Sequence, residues 1–156
     1  MTYPASFGLL LIRGIVGFVM FYHGAQKLFP EQMFGWFGGG GMEGFIPAVS
    51  DLGVPGVPPE ILAYAAAISE FGGGILLMLG FATRFAGLFI AVTMAVAAIK
   101  VHGHAFSLQA QGMEYALTLG LVSLGLVFTG PGRFAIDCLF RRKKGNGGSR
   151  PPEKKK

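Results

Sequence analysis

Apolar residues in this chain gather into four long runs, separated by short polar stretches or by segments rich in glycine and proline. The first run is Phe7 to Phe29 (FGLLLIRGIVGFVMFYHGAQKLF). About 20 helical residues cross a hydrocarbon layer of about 30 Å, so this run is long enough to span a membrane. It exceeds the apolar region of a signal peptide, about 7–15 residues, and Arg13 interrupts it with no small-residue cleavage site after it. It is therefore expected to be retained. The second run is Glu60 to Phe81, the third Phe85 to Val101 and the fourth Gly112 to Thr129. Only Ala82, Thr83 and Arg84 separate the second from the third, which predicts an antiparallel helical hairpin. Gly130-Pro131-Gly132 ends the fourth, because proline cannot continue a helix and glycine permits the turn.

Residues 30–58 read as a loop, with glycine at every position from Gly38 to Gly41 and prolines at 30, 47, 55 and 58. The loop is apolar for its kind. Met33, Phe34, Trp36, Phe37, Phe45 and Ile46 suit a membrane interface, where aromatic rings are enriched, and a short helix is expected around Met42 to Leu52. The fold class expected is thus an all-α membrane protein: an antiparallel bundle of four transmembrane helices with a Gly/Pro-rich extracytoplasmic loop. Residues 1–140 form that domain, and 141–156 form a basic, structureless tail.

Composition agrees: 52% of residues are hydrophobic and 13% charged, the latter about half the usual share in soluble proteins. The net charge of +5 would suggest nucleic acid were it spread over the chain. Eight of the 13 Lys and Arg lie between Arg141 and Lys156, leaving a nearly neutral body. Such a tail suits anionic lipid headgroups, at about 1 kcal/mol per basic residue near the surface, and nucleic acid is not an expected partner. The same charge sets orientation. Loop 30–58 has no Lys or Arg, whereas Arg84 and the tail are basic, so the positive-inside rule puts both termini of this multi-pass protein in the cytoplasm and the long loop outside. Lys27 and Lys100 at the outer boundary oppose the rule and are outweighed. The single cysteine, Cys138, excludes an intrachain disulfide or a two-thiol relay and reads as a passive apolar residue.

Charged side chains in a spanning bundle should face its interior. With Phe29 and Pro59 taken as outer ends at equal depth, His23 lies about 9 Å deep, Glu70 about 16 Å and Arg13 about 24 Å, at 1.5 Å per residue. Lys27, Lys100 and Glu114 fall within about 3 Å of the boundary. Helical spacing puts Arg13, Gly17, Gly24 and Lys27 on one stripe with His23 on its flank. Ala63, Ala66, Glu70, Gly73, Gly74 and Leu77 share another, and Gly87, Ala91, Ala95, Ala98 and His102 a third; Lys100 points elsewhere. Small residues on such stripes let membrane helices approach closely.

Two readings compete for these groups. Arg13 with Glu70 is a buried ion pair that fixes the packing, or Glu70 handles a ligand or protons together with His23. Lys27 with Glu114 is an interfacial pair, or part of the same ligand site. His102 and His104 flank Gly103 at the outer edge as solvated loop residues. Haem ligation fails because His23 and His102 differ in depth, and His102, His104 and Glu114 have no recognised zinc spacing, so no metal is assigned. The Gly38–Gly41 run lacks the lysine of a phosphate loop.

The chain resembles the DoxX family of small four-helix membrane proteins from about residue 9 to 140. The matching residues are Arg13-Gly14, His23-Gly24-Ala25-Gln26-Lys27 and Leu52-Gly53-Val54-Pro55. They continue with Glu70-Phe71-Gly72-Gly73, Leu79-Gly80-Phe81-Ala82-Thr83-Arg84, Glu114-Tyr115-Ala116, and Gly130-Pro131-Gly132 followed by Asp137. The resemblance implies a bacterial or archaeal cell membrane and a link to thiosulfate:quinone oxidoreduction, terminal oxidase complexes, or complexes handling thiol and oxidative stress. It carries over Lys27, Glu70, Arg84 and Glu114 as the family-like polar positions. The expected function is then a membrane subunit of a quinone- or thiol/thiosulfate-linked redox system, with His23, Lys27, Glu70 and Glu114 as ligand-binding candidates. No intrinsic cofactor is indicated; a quinone is the apolar ligand such a site would take, and electrons would come from a partner subunit or a bound cofactor. The rivals are a non-enzymatic scaffold that docks partners and a conduit for protons or small solutes.

Overall fold

A computed structural model describes residues 2–30 and 38–138. Met33, Phe34, Trp36 and Phe37, expected at the interface, and the basic tail 141–156 lie outside the described residues. The described chain is helical: α1 (Tyr3–Leu28), α2 (Gly41–Ser50), α3 (Pro59–Leu79), α4 (Thr83–Val96) and α5 (Glu114–Thr129). A π-turn, Ala97–Val101, prolongs α4, and Leu108–Ala110 is a single 3₁₀ turn. Among the described residues there is no strand, only isolated bridges from Pro30 to Gly39 and Gly40.

The ends follow local chemistry. Proline opens both α1 and α3, where its missing N–H is no loss. Gly80 closes α3 in the left-handed conformation, φ 66°, with its N–H and that of Phe81 returned to carbonyls of the last turn. The α4 N-terminus is capped from a distance: both oxygens of Asp137 accept, from the N–H of Ala82 at 2.9 Å and of Thr83 at 3.3 Å. That cap starts α4 two residues before the apolar run does.

Three helical stretches are long and apolar enough to cross a membrane: Tyr3–Leu28, Pro59–Leu79 and Thr83–Val101. α5, at 16 residues, is shorter. α1 packs chiefly on α3, α3 on α4, and α4 on α5, while α2 lies against α3 and α1. Contacts between neighbours run in reverse order along the chain, as Ser69 to Thr93 and Gly73 to Ile90 illustrate for α3 and α4. Met20, Leu77, Ile90 and Leu126 fill the core. The outer faces carry Ile15, Ile68, Phe85, Phe89, Ile99 and Phe128, all exposed, whereas Arg13 and Glu70 are each only 1% exposed. Water would penalise this arrangement and lipid favours it.

The predicted stripes hold with two shifts. Ala67 is buried where Ala66 is half-buried, and Met94 is buried where Ala95 is exposed. Lys100 is exposed.

Candidate functional site

The closest helix crossing sets the site. A Cβ on Gly24 would overlap the Phe71 backbone, and one on Gly17 would come within 2.7 Å of the Gly74 carbonyl. Only bare glycine lets α1 and α3 meet this closely. Equal outer ends would set Gly24 opposite Tyr64; it lies instead against Phe71, seven residues or about two turns further on. Lys27 therefore comes level with Glu70, and its Nζ donates to both carboxylate oxygens in a salt bridge.

This corrects two expected pairings. Arg13 does not pair with Glu70, because the same register carries it to the opposite end of the bundle. Its Nη2 donates to the carbonyl of Phe134, and Asp137 is near enough to act on it electrostatically. Its Nε and Nη1 have no hydrogen-bond partner among the described residues. Lys27 does not pair with Glu114 either. The Glu114 carboxylate accepts from the N–H of Leu108 at 3.0 Å and so closes the connector between α4 and α5.

The Lys27–Glu70 pair is unequal in exposure: the lysine side chain is 25% exposed and the glutamate 1%. The aromatic ring of Phe45, on α2, lies 4.7 Å from the ammonium and shields it by a cation–π contact. Beside the pair, His23 Nε2 lies 3.5 Å from the Tyr115 hydroxyl, ring edge to ring face at 6.0 Å between centroids. His102 joins them. Its Nδ1 lies 2.7 Å from the Gln111 carbonyl, so that nitrogen carries the proton and donates; in the neutral ring Nε2 is left as an acceptor. The π-turn ends at His102, whose N–H returns to the carbonyl of Ala97, five residues earlier. Such turns are frequent at functional sites.

His23, Lys27, Glu70, His102 and Tyr115 line one cavity of about 150 Å³, walled by Met20, Met94 and Leu119. Of the four candidate ligand-binding residues, the structure brings together His23, Lys27 and Glu70 and leaves Glu114 outside. Tyr115 and His102 are the members that sequence reasoning missed. Tyr115 follows Glu114 directly, and His102 ends the small-residue stripe of α4. His104 is an exposed loop residue bonded at 3.0 Å to the Ala110 carbonyl.

A wider cleft of about 810 Å³ lies at the other end, between the α3–α4 turn and the segment after α5. Arg84 and Arg133 border it, but its one carboxylate, Asp137, is spent on capping α4. Among the described residues no three His, Cys, Asp or Glu converge as metal ligands do.

An all-helical body with lipid-suited faces, a glycine-mediated helix crossing and a charge pair buried beside a small open pocket identifies an integral membrane protein. The chain belongs to the DoxX family: residues 8–103 match the DoxX model, and residues 59–149 match the model described as TQO small subunit DoxD. It is 34% identical over 140 residues to a Bacillus subtilis (strain 168) protein named "Putative oxidoreductase CatD", covering 90% of this chain and 92% of that one. It is also 34% identical over 113 residues to the "Inner membrane protein YqjF" of Escherichia coli (strain K12), covering 70% of this chain and 82% of that protein. No solved structure matches the chain.

Proposed function

We propose that this protein is a membrane subunit of a redox system and binds a quinone headgroup in the cavity beside Lys27 and Glu70. The observation that carries the reading is the cavity itself. It joins an ion pair, two imidazoles and a phenol to thioether and leucine walls, the mixture that a flat ring with two oxygen atoms needs. His23 and Tyr115 hydrogen-bond a ring oxygen, Glu70 exchanges a proton, and Lys27 holds the local field. The oxidoreductase name of the Bacillus relative and the TQO description of the DoxD model support a redox setting. A lone thiol, Cys138, forms no dithiol relay, and in this reading electrons come from a partner subunit or a bound cofactor.

In this reading α5 is the fourth span of an antiparallel bundle covering residues 1–140, and both termini face the cytoplasm. The tail 141–156 meets anionic headgroups of the cell membrane. The cavity then opens in the outer half.

Purification from native membranes tests the reading. Quinone should copurify, and deletion of the gene should slow quinone-linked thiosulfate or thiol oxidation. Protein free of quinone, from a strain whose deletion leaves those rates unchanged, contradicts it. A scaffold role is favoured by one observation, the buried latch of Arg13 on Phe134, which is architecture without a cavity. It predicts that Glu70→Gln changes yield alone and never an activity.

A further inference from the structure

The wide cleft at the α3–α4 turn plays no part in the reading above, and its charge is unbalanced. We propose that it binds the phosphate of an anionic phospholipid, held by Arg84 and Arg133 while the acyl chains run along Phe81 and Phe85. The inference is independent of the quinone site.

Position is the first argument. α3 ends at Leu79, α4 starts at Thr83 and α5 ends at Thr129. Residues 81–85 and 129–133 line the cleft, which therefore sits where the helices end, at the depth of lipid headgroups.

Charge is the second. Two arginines line the cleft against one carboxylate, Asp137. That carboxylate accepts from the N–H groups of Ala82 and Thr83 and also acts on the buried Arg13. Among the described residues neither Arg84 nor Arg133 has an ion-pair partner. Arg84 reaches across the cleft: a Cβ on Gly130 would lie 3.6 Å from its Nε and 3.7 Å from its Nη2. A guanidinium that starts on α4 thus ends against the turn after α5. The guanidinium carbon of Arg133 lies 4.2 Å from the centre of the Tyr3 ring, a contact that keeps N–H donors for an anion. Arginine forks match the oxygens of a phosphate two at a time.

The walls decide which phosphate. Phe81 is 43% exposed and Phe85 69%, and both line the cleft. A free phosphate gains nothing from these rings, whereas a phospholipid covers them with its chains. Basic pockets beside spanning helices bind anionic headgroups in this way. The cleft is open, so its volume sets no limit on the headgroup. It selects by charge.

Titration of the full-length protein in detergent with fluorescent phosphatidylglycerol and phosphatidylcholine of the same chains tests the inference. Phosphatidylglycerol should bind about tenfold more tightly or better. Arg84→Gln and Arg133→Gln should each weaken it about fivefold and leave phosphatidylcholine unchanged. A variant with Lys154, Lys155 and Lys156 all changed to Gln loses more charge than either, yet should weaken binding less than about twofold. Glycerol phosphate, a headgroup without chains, should not displace the lipid at millimolar concentration. Equal affinity for the two lipids overturns the proposal, as does a tail variant that loses as much as the arginine variants. Displacement by glycerol phosphate overturns the lipid as occupant in favour of a soluble phosphate. Should an arginine variant not fold, the two lipids and the competition on wild-type protein still decide.

Discussion

Arg13 and Glu70 are equally buried, each 1% exposed, yet the surroundings of the two charges differ in kind. At the α3–α4 turn Arg13 is packed in. It donates to the Phe134 carbonyl, Gly80 gives it room that no other residue could, and Asp137 ties the same segment to the start of α4. At the other end Glu70 meets Lys27 beside open space lined by His23, His102 and Tyr115. A buried charge whose neighbours are backbone carbonyls and caps holds a fold together. One bordered by a cavity and by side chains that can change partner is placed to meet a ligand. On the proposed reading, the contrast separates architecture from site within one small bundle.

The largest effect should come from breaking the latch. Gly80→Ala puts a Cβ into the Arg13 guanidinium at a position with φ 66°. Folded yield in detergent should collapse; a normal unfolding midpoint would erase the distinction between the two ends. Next in size, Lys27→Met leaves Glu70 buried without its partner and should destabilise by about 3–5 kcal/mol, read by thermal unfolding in detergent. Lys27→Met combined with Glu70→Leu should recover most of that loss, since a buried pair is often replaceable by apolar residues, but should not recover ligand binding. Asp137→Asn weakens the cap on α4 and should lower stability by about 1 kcal/mol, with binding unchanged. The smallest structural effect belongs to Tyr115→Phe, in which the 3.5 Å contact to His23 is lost at a side chain already 41% exposed. Stability should move by less than about 1 kcal/mol while quinol affinity falls severalfold, a split that Asp137→Asn should show in reverse.

Three of the four expected spans were legible in the sequence, because apolar runs record the thickness of their solvent; the fourth run forms α5, which at 16 residues is shorter than a full crossing. The burial of Glu70 was legible too, since a carboxylate on a stripe with Gly73, Gly74 and Leu77 has nowhere else to go. Its partner was not. Pairing depends on the offset between α1 and α3, and a single sequence states no offset. The trace it did leave is the placement of Gly17, Gly24 and Gly74, which mark the crossing that carries Lys27 down to Glu70. Tyr115 and His102 were hidden for different reasons. Tyr115 belongs to a face set by where α5 begins after the connector, and His102, though it ends the small-residue stripe of α4, read as a solvated loop residue beside Gly103. The short α2 is legible to within two residues of its observed ends, whereas its role as cover for Lys27 depends on tertiary packing and is not.

The sharpest test compares wild-type protein with the Lys27→Met/Glu70→Leu double variant in nanodiscs, measuring benzoquinol affinity and the unfolding midpoint on the same samples. The account predicts similar midpoints and at least a tenfold loss of affinity in the variant. A variant that is equally stable and binds the quinol as tightly as the wild type would show that the buried pair is architecture alone, no different in kind from the latch at Arg13.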